Sequence, residues 1–475
     1  MEILYSDANT IVQKIKLKEV SCFEVVQEYI DHINRVNPYI NALVEDRFKE
    51  ALFEAQKCDH ALKKGNYKGK LFGIPITVKE SFDVQGMHTT GGLLQRKGII
   101  ASKDSKVVSM LKGEGAIVLG KTNTPTLCLS HRTVNKLYGR TNNPWDLFRT
   151  PGGSSGGEGA LVAVGGTTLG VGSDFGGSIR FPAHFNGVIG FKSGECQVPS
   201  EGHLPPYEDD VQNRMFGIGA LSKSVADAEL VDAIISNRKP PKKDFAKFKL
   251  VVPAYIKNYP VSIETADMMY RVKNFLQGEW EVIDELPPYF GEYVKNWEKV
   301  TAIFGAEKMN DYFNEYTPLH FFYLYMREKL FKNTEYDEFA LWNMFGLSII
   351  RPREDYRNIK ENLDRLKDSV VKYLSNKLLL LPIYATTAPL HGQLYEKFFS
   401  IKGYMSNNLD KYFAYVSIAN IFGLPSLTVP ISTGERGLPI AIQIMGNAGD
   451  EYPIFQLGKI LEKQFGGYKR CTAYD

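Results

Sequence analysis

Thr150-Pro-Gly-Gly-Ser154-Ser155-Gly-Gly-Glu158-Gly-Ala160, followed by Gly172-Ser173-Asp174-Phe175-Gly176-Gly177-Ser178-Ile-Arg180-Phe181-Pro182, is the text that decides how this chain is read. Ser154 and Ser178 stand 24 residues apart in glycine-dense backbone, and Lys79 ends an apolar run upstream, Gly73-Ile-Pro-Ile-Thr-Val-Lys79. Glycine allows positive φ and close approach of main chain to a ligand. Successive N–H groups in such a turn form a nest able to hold developing negative charge. Neither serine run contains a histidine, so a nucleophilic serine here needs a base other than imidazole. The bland alternative for Ser178 is a helix N-cap, because Ile179-Arg-Phe-Pro follows.

Around this text, residues 70–235 alternate short β-branched runs with helical stretches. Gly73–Val78 and Ala116–Leu119 read as strands, and Ser105–Gly113 reads as a helix. The alternation predicts an α/β fold with a large mixed, mostly parallel twisted sheet covered by helices on both faces. Glycine-rich turns then fall at strand or helix ends, where α/β proteins bind ligands. Upstream, residues 7–65 read as helical. Ser21-Cys-Phe-Glu24 has the capping-box pattern, Phe23, Val26, Ile30 and Ile33 share one face, Asn37-Pro38 ends that element, and Ala42 to Leu62 reads as a second helix.

Composition changes at Arg238-Lys-Pro-Pro-Lys-Lys-Asp244, which reads as a surface linker. Eighteen aromatic residues then fall between Tyr289 and Tyr356, about twice the density of the whole chain. Strand-like text resumes at Leu378–Tyr384, Leu424–Ile431 and Leu438–Ile444, so the aromatic section is expected to be an insertion into a sheet completed by C-terminal strands. The expected organisation is one domain, 1–475: N-terminal helices (1–65), a catalytic core (66–235), an aromatic-rich helical insertion (236–375) and a completing segment (376–475).

Bulk properties narrow the function classes. With 475 residues and 44% hydrophobic content, the chain can bury a large core. A net charge of +3, from 57 basic and 54 acidic residues, gives no electrostatic case for nucleic acid. The five cysteines are odd in number, scattered and never in CxxC, which argues against a disulfide framework or zinc site. The first residues are polar and lack a signal-peptide apolar stretch, and the longest apolar run, Leu378–Ile383, is far too short to span a bilayer. A cytoplasmic protein without a transmembrane segment is expected. Gly115-Ala-Ile-Val-Leu-Gly-Lys121-Thr122 matches the letters of a phosphate loop, but Ala-Ile-Val-Leu reads as a buried strand where mobile residues are needed. A nucleotide-binding module is therefore the weakest reading.

Taken together, Ile74–Asp83, Gly120–Pro125, Asn142-Asn-Pro-Trp145, the 150–192 block, Ser222–Asp227, Gly423-Leu-Pro-Ser426 and Gly437-Leu-Pro-Ile440 resemble the amidase signature family over most of the chain; the aromatic section does not align by eye. The resemblance implies a Ser–Ser–Lys triad: Ser178 as nucleophile, Ser154 as bridging serine in a cis peptide, and Lys79 as base. It also implies an oxyanion hole from the N–H groups of Phe175, Gly176, Gly177 and Ser178. Asp174, Arg180, Ser155 and Ser173 would support that site, His184 has no role in the family, and no metal or cofactor is implied. A lysine can act as base only when neutral, so its pKa must fall from about 10.4 toward about 7–8, which is roughly 4 kcal/mol. Burial beside uncharged hydroxyls can supply that.

Within the family, Glu158-Gly159 and Phe181-Pro182 are similar to fatty acid amide hydrolases, which points to an apolar acyl or aryl amide as small-molecule substrate. Two departures from the family text, Lys192-Ser-Gly-Glu-Cys-Gln197 and Gly219-Ala-Leu-Ser-Lys223, lie on the substrate side and suggest unusual specificity. The rival reading is the glutaminase subunit of a tRNA-dependent amidotransferase, against which Phe175 stands where that subfamily has threonine. A homodimer is left open.

Overall fold

The leucine run shows how the molecule is layered. Leu378 and Leu380 pack with Leu427, Val429 and Ile442 against helices Val225–Ile235, Ile263–Gln277 and Glu451–Phe465. Leu379 and Leu381 face the other way, toward helices Glu292–Glu307, Tyr356–Tyr373 and Ser417–Ile421. A strand buried on both faces needs no polar alternation, so the run is continuously apolar.

The computed structural model describes residues 2–207, 209–237, 239, 241–254, 256, 258–307, 312–313, 317–349, 355–394 and 413–475. Arg238 and Pro240 of the linker and Tyr316 of the aromatic section lie outside the described residues. The strands are β1 (Leu43–Asp46), β2 (Pro75–Lys79), β3 (Ile117–Thr122), β4 (Val134–Asn135), β5 (Gly139–Arg140), β6 (Leu169–Asp174), β7 (Ile189–Lys192), β8 (Gly217–Ser222), β9 (Lys249–Val251), β10 (Val282–Ile283), β11 (Lys377–Pro382), β12 (Ser426–Thr433) and β13 (Pro439–Met445). Among the described residues, β4 and β5 form a small ribbon and the other eleven form one sheet, ordered β1-β3-β2-β6-β8-β7-β12-β13-β11-β9-β10.

The sheet is mixed, with helices on both faces, as expected. Its parallel pairings are confined to two blocks, β3-β2-β6 and β11-β9-β10. The other six pairings are antiparallel, so parallel pairing flanks an antiparallel centre rather than running through the sheet. One of these pairs is set by a tight connection: β12 returns through the short turn at Glu435–Gly437 as β13, which fixes an antiparallel pair.

Local expectations hold where side chains decide them. Ser21 and Glu24 form the reciprocal capping box of helix Cys22–Ile40, and Ser105 caps Lys106–Gly113 through Val108 N–H. Two expectations at the N-terminus fail. Helix Cys22–Ile40 continues through Pro38 and stops at Asn41, whose left-handed backbone (φ 48°) ends it. The text from Ala42 is not helical until Phe48, because Leu43–Asp46 pairs with β3 and tertiary pairing overrides local pattern. Residues 236–375 are also more than a helical insertion, since they supply β9 and the edge strand β10.

The phosphate-loop letters fall on β3, buried along its whole length between β1 and β2. Lys121 Nζ donates to the His88 carbonyl and to Thr89 Oγ1 (3.0 Å), inside the protein. In the aromatic section, helices Pro318–Phe331 and Glu338–Ile349 pack Phe321, Leu324, Leu341 and Met344 against Leu93, Leu127 and Leu204. This satellite core covers the side of the molecule next to the C-terminal end of β2.

Candidate active site

β2 lies between β3 and β6 and delivers Lys79, fully buried, at its C-terminal end. Lys79 Nζ is 2.7 Å from Ser154 Oγ and 2.9 Å from Ser173 Oγ. Burial lowers the Lys79 ammonium below the ordinary lysine range, while Cys128, Asp174 and Glu158 pull it the other way. Ser154 follows a cis peptide bond from Gly153, as the sequence resemblance implies. Its backbone is held close to a neighbouring loop, because a Cβ at Gly153 would lie 2.7 Å from the Ser130 carbonyl oxygen. Ser155 N–H donates to the Ser178 carbonyl (3.1 Å), which ties the loop of Ser154 to the turn of Ser178. Ser155 Oγ sits 3.3 Å from the Ser173 carbonyl oxygen and so bridges the same two segments.

The turn after β6 is organised by Asp174. Its Oδ1 accepts from Gly177 N–H (2.7 Å) and its Oδ2 from Ile179 N–H (3.0 Å). The same carboxylate receives Arg180 through Nε (3.1 Å) and a terminal nitrogen (3.0 Å), and Asn420 Nδ2 (2.9 Å). Arg180 continues to the Val416 carbonyl (2.8 Å) and Gln443 Oε1 (3.0 Å), so the turn is anchored to the C-terminal strands. Burial alone would push the Asp174 carboxyl up, but Arg180, Lys192 and Asn420 outweigh it and hold it well below the usual carboxylate range.

This arrangement bears on two readings. Helix Arg180–Asn186 has Ile179 at its N-cap position and its first amides donate to Asp174, so the capping duty does not fall to Ser178. Ser178 sits at the mouth of the turn with 6% exposure. Gly177 departs from expectation: its N–H is turned into the turn, onto Asp174, and is therefore not available to an oxyanion. Gly177 has φ 104°, and a Cβ there would lie 2.6 Å from the Phe181 ring.

Aromatic side chains wall the turn. Phe175 stacks on Tyr207 at 5.1 Å, and Trp297 Nε1 donates to the Phe175 carbonyl (3.3 Å). Trp297 also stacks on Phe413 (4.2 Å) and lies so close to Gly176 that a Cβ there would meet its ring at 2.7 Å. From the aromatic section, Trp297 therefore reaches the site directly, whereas Phe313, Phe321 and Tyr336 fill the satellite core.

Sequence reasoning missed two residues beside Lys79. Cys128, with left-handed backbone (φ 60°), follows the recognised Gly120–Pro125 block but carries no motif of its own. His203 lies between β7 and β8, outside both segments that depart from the family text, and its ring reaches Ser173 Oγ (3.0 Å). Only its distance in sequence from both serine runs hid it. Burial, followed by the charge of Lys79, pushes this imidazole down to about 3. His184 is a structural tie: its ring bonds the Thr386 carbonyl (3.0 Å) and Ala441 N–H (3.0 Å). Lys192, which opens the first departing segment, is spent on the carbonyls of Ser193 (2.8 Å) and Leu424 (3.0 Å). Among the described residues, no group of three or more His, Cys, Asp or Glu side chains is arranged to hold a metal ion, and no helix is long and apolar enough to cross a membrane.

The chain is similar to known proteins along most of its length. Residues 24–455 match the amidase family. The chain is 31% identical over 500 residues to fatty-acid amide hydrolase 2-B of Danio rerio, covering 98% of this chain and 90% of that protein. It is 28% identical over 500 residues to a glutamyl-tRNA(Gln) amidotransferase subunit from Carboxydothermus hydrogenoformans, covering 98% of each. The solved structure of 6-aminohexanoate cyclic dimer hydrolase complexed with substrate shares the fold, with a TM-score of 0.81 at 23% identity over 99% of this chain and 100% of that one. The family match takes in every strand that positions Lys79 and the two serine loops, and the chain accordingly belongs to the amidase signature family, as an amide hydrolase.

Proposed function

We propose that the chain hydrolyses an apolar acyl or aryl amide through an acyl-enzyme on Ser178, with Ser154 as proton relay and Lys79 as base. The observation that carries this reading is the contact of a fully buried lysine amine with Ser154 Oγ at 2.7 Å. Ser178 Oγ attacks the amide carbonyl and passes its proton to Ser154, whose own proton goes to Lys79. The oxyanion forms against the N–H groups of Phe175, Gly176 and Ser178; a single donor of this kind is worth about a hundred- to a thousandfold in rate. Collapse of the tetrahedral species breaks the C–N bond as the proton returns through Ser154 to the leaving amine. Water then repeats the sequence on the ester.

Asp174 and Arg180 support this reading by fixing the turn, and Ser155 and Ser173 by holding the neighbouring backbone and the amine. The substrate class rests on the wall of Phe175, Tyr207 and Trp297, which offers apolar and aromatic surface of the kind that small-molecule pockets use. A glutaminase would need polar anchors for a glutamine side chain beside the same turn, and this wall does not favour it. Intact mass after treatment with a fluorophosphonate tests the proposal: one adduct on the native protein and none on Ser178→Ala is expected. An inert native protein would refute the nucleophile, and a rate profile falling with acyl length would refute the substrate class.

A further inference from the structure

A neutral lysine amine has one lone pair, and two hydroxyls compete for it here. Ser154 Oγ lies 2.7 Å and Ser173 Oγ 2.9 Å from Lys79 Nζ. If Lys79 is the base proposed above, on which this inference rests, the lone pair must receive the Ser154 proton. A Ser173 hydroxyl pointed at the amine would block it.

The ring of His203 decides which way Ser173 points. Its Nδ1 lies 2.9 Å from the Pro205 carbonyl oxygen, which can only accept, so Nδ1 carries the hydrogen and Nε2 is a bare acceptor. Two hydroxyls reach that nitrogen, Ser173 Oγ at 3.0 Å and Ser81 Oγ at 3.1 Å, and its single lone pair holds one of them at a time, with Ser173 the nearer. The ring is locked in place by Phe82 and Phe216, each with centroids 4.8 Å away. We infer that His203 is a positioning residue for the hydrolysis: by accepting the Ser173 proton it makes Ser173 an acceptor toward Lys79 and reserves the amine lone pair for Ser154.

The groups around this pair are Cys128, Asp174 and Glu158 on the lysine side, and Asp83 and Tyr207 on the imidazole side. Burial and the neighbouring amine keep His203 neutral well below neutral pH, so its proton order is constant across the range in which an amidase would be assayed.

Two consequences separate this role from simple packing. Without the imidazole acceptor, Ser173 turns its hydroxyl to the neutral amine. That occupies the lone pair, which lowers kcat, and it stabilises the uncharged lysine, which moves the acid limb of the rate profile to lower pH. Loosened packing would instead admit water, favour the ammonium and move that limb to higher pH.

The test is kcat and kcat/KM against pH for native enzyme, His203→Phe, His203→Gln and Ser173→Ala, each normalised to the fraction of fluorophosphonate-reactive sites. His203→Phe should lose about tenfold in kcat, the factor that one net hydrogen bond represents, with its acid limb lowered by about half to one pH unit. His203→Gln, whose Oε1 can accept from Ser173, should restore most of both. With Ser173→Ala as background, His203→Phe should change nothing further. A His203→Phe profile with the native limb or a raised one would overturn the inference, as would a Gln variant no better than Phe. A Lys79→Met enzyme retaining full activity would overturn the base reading itself, a different result from an inactive Lys79→Met beside a native-like His203→Phe.

Discussion

Replacing Asp174 by Asn tests whether the nucleophile turn is held electrostatically. Asp174 and Arg180 are both fully buried and 3.0 Å apart. Each carboxylate oxygen collects three donors: Oδ1 from Gly177 N, Arg180 and Asn420, and Oδ2 from Ile179 N, Arg180 N and Arg180 Nε. Whichever oxygen becomes an amide nitrogen, three donors then face a donor, and the guanidinium is left without its counter-charge. Removing one partner of a buried pair typically costs about 3–5 kcal/mol. The pH dependence has a definite sign. The folded pKa of Asp174 is depressed, so its contribution is complete above the unfolded value of 3.8 and is lost only as pH falls through the lower folded value. The deficit of Asp174→Asn should therefore be flat from neutral pH down to about pH 4 and shrink only below that. Urea midpoints at a series of pH values give the deficit, and fluorophosphonate labelling reports the turn. Adding Arg180→Met to Asp174→Asn should recover part of the loss, because it removes the stranded charge. A single-variant deficit below about 1 kcal/mol, or a double variant that is simply the sum of two losses, would refute the reasoning.

Three further outcomes follow from the geometry. Gly177→Ala should cost about 1–2 kcal/mol for its left-handed backbone and abolish labelling of Ser178; adding Phe181→Ala should not restore it, because the φ of 104° remains, as thermal unfolding and mass spectrometry can check. Lys79→Met should reduce kcat by about a hundred- to ten-thousandfold, and the acid limb of the native profile, set by a lysine whose pKa burial has lowered, should vanish from the residual rate. Trp297→Ala should lower kcat/KM for long acyl or aryl amides by about 10- to 100-fold, the equivalent of one large apolar side chain, and leave a two-carbon acyl amide much less affected.

The site was legible where chemistry and backbone demand coincide in one short segment. Gly153, Gly176 and Gly177 stand where a Cβ would strike backbone or a ring, and the serines between them are the polar groups those loops present. Asp174 and Arg180, six residues apart, carry their pairing in the local text. What stayed hidden depends on long-range partners. Leu43–Asp46 becomes a strand only because β3 lies beside it, and β9 and β10 are too short to show a period of two. Arg180 finds Asn420 and Gln443 across more than half the chain. The direction of the Gly177 N–H and the arrival of His203 at Ser173 follow from how the turn and the connection between β7 and β8 fold back, which no spacing encodes.

The surroundings of Lys79 also favour the proposed choice of a lysine over the histidines near at hand. His131, His184 and His203 are all buried, and desolvation pushes them down to about 3, about 4 and about 3, so none brings positive charge to the site at neutral pH. Glu158, enclosed with Thr77 (2.5 Å) and Thr122 (2.8 Å), is pushed by burial up to about 8, so the group that would otherwise favour the ammonium is mostly uncharged at neutral pH. Asp174, the other carboxylate that acts on Lys79, is paired with Arg180. Desolvation thus acts on Lys79 and Glu158 with opposite sign: it lowers the lysine below its ordinary range and raises the acid above its own, so each moves toward its uncharged form. Exposing either to water would favour both charged forms, so the base role proposed for Lys79 depends on the dryness of this pocket as well as on the hydroxyls.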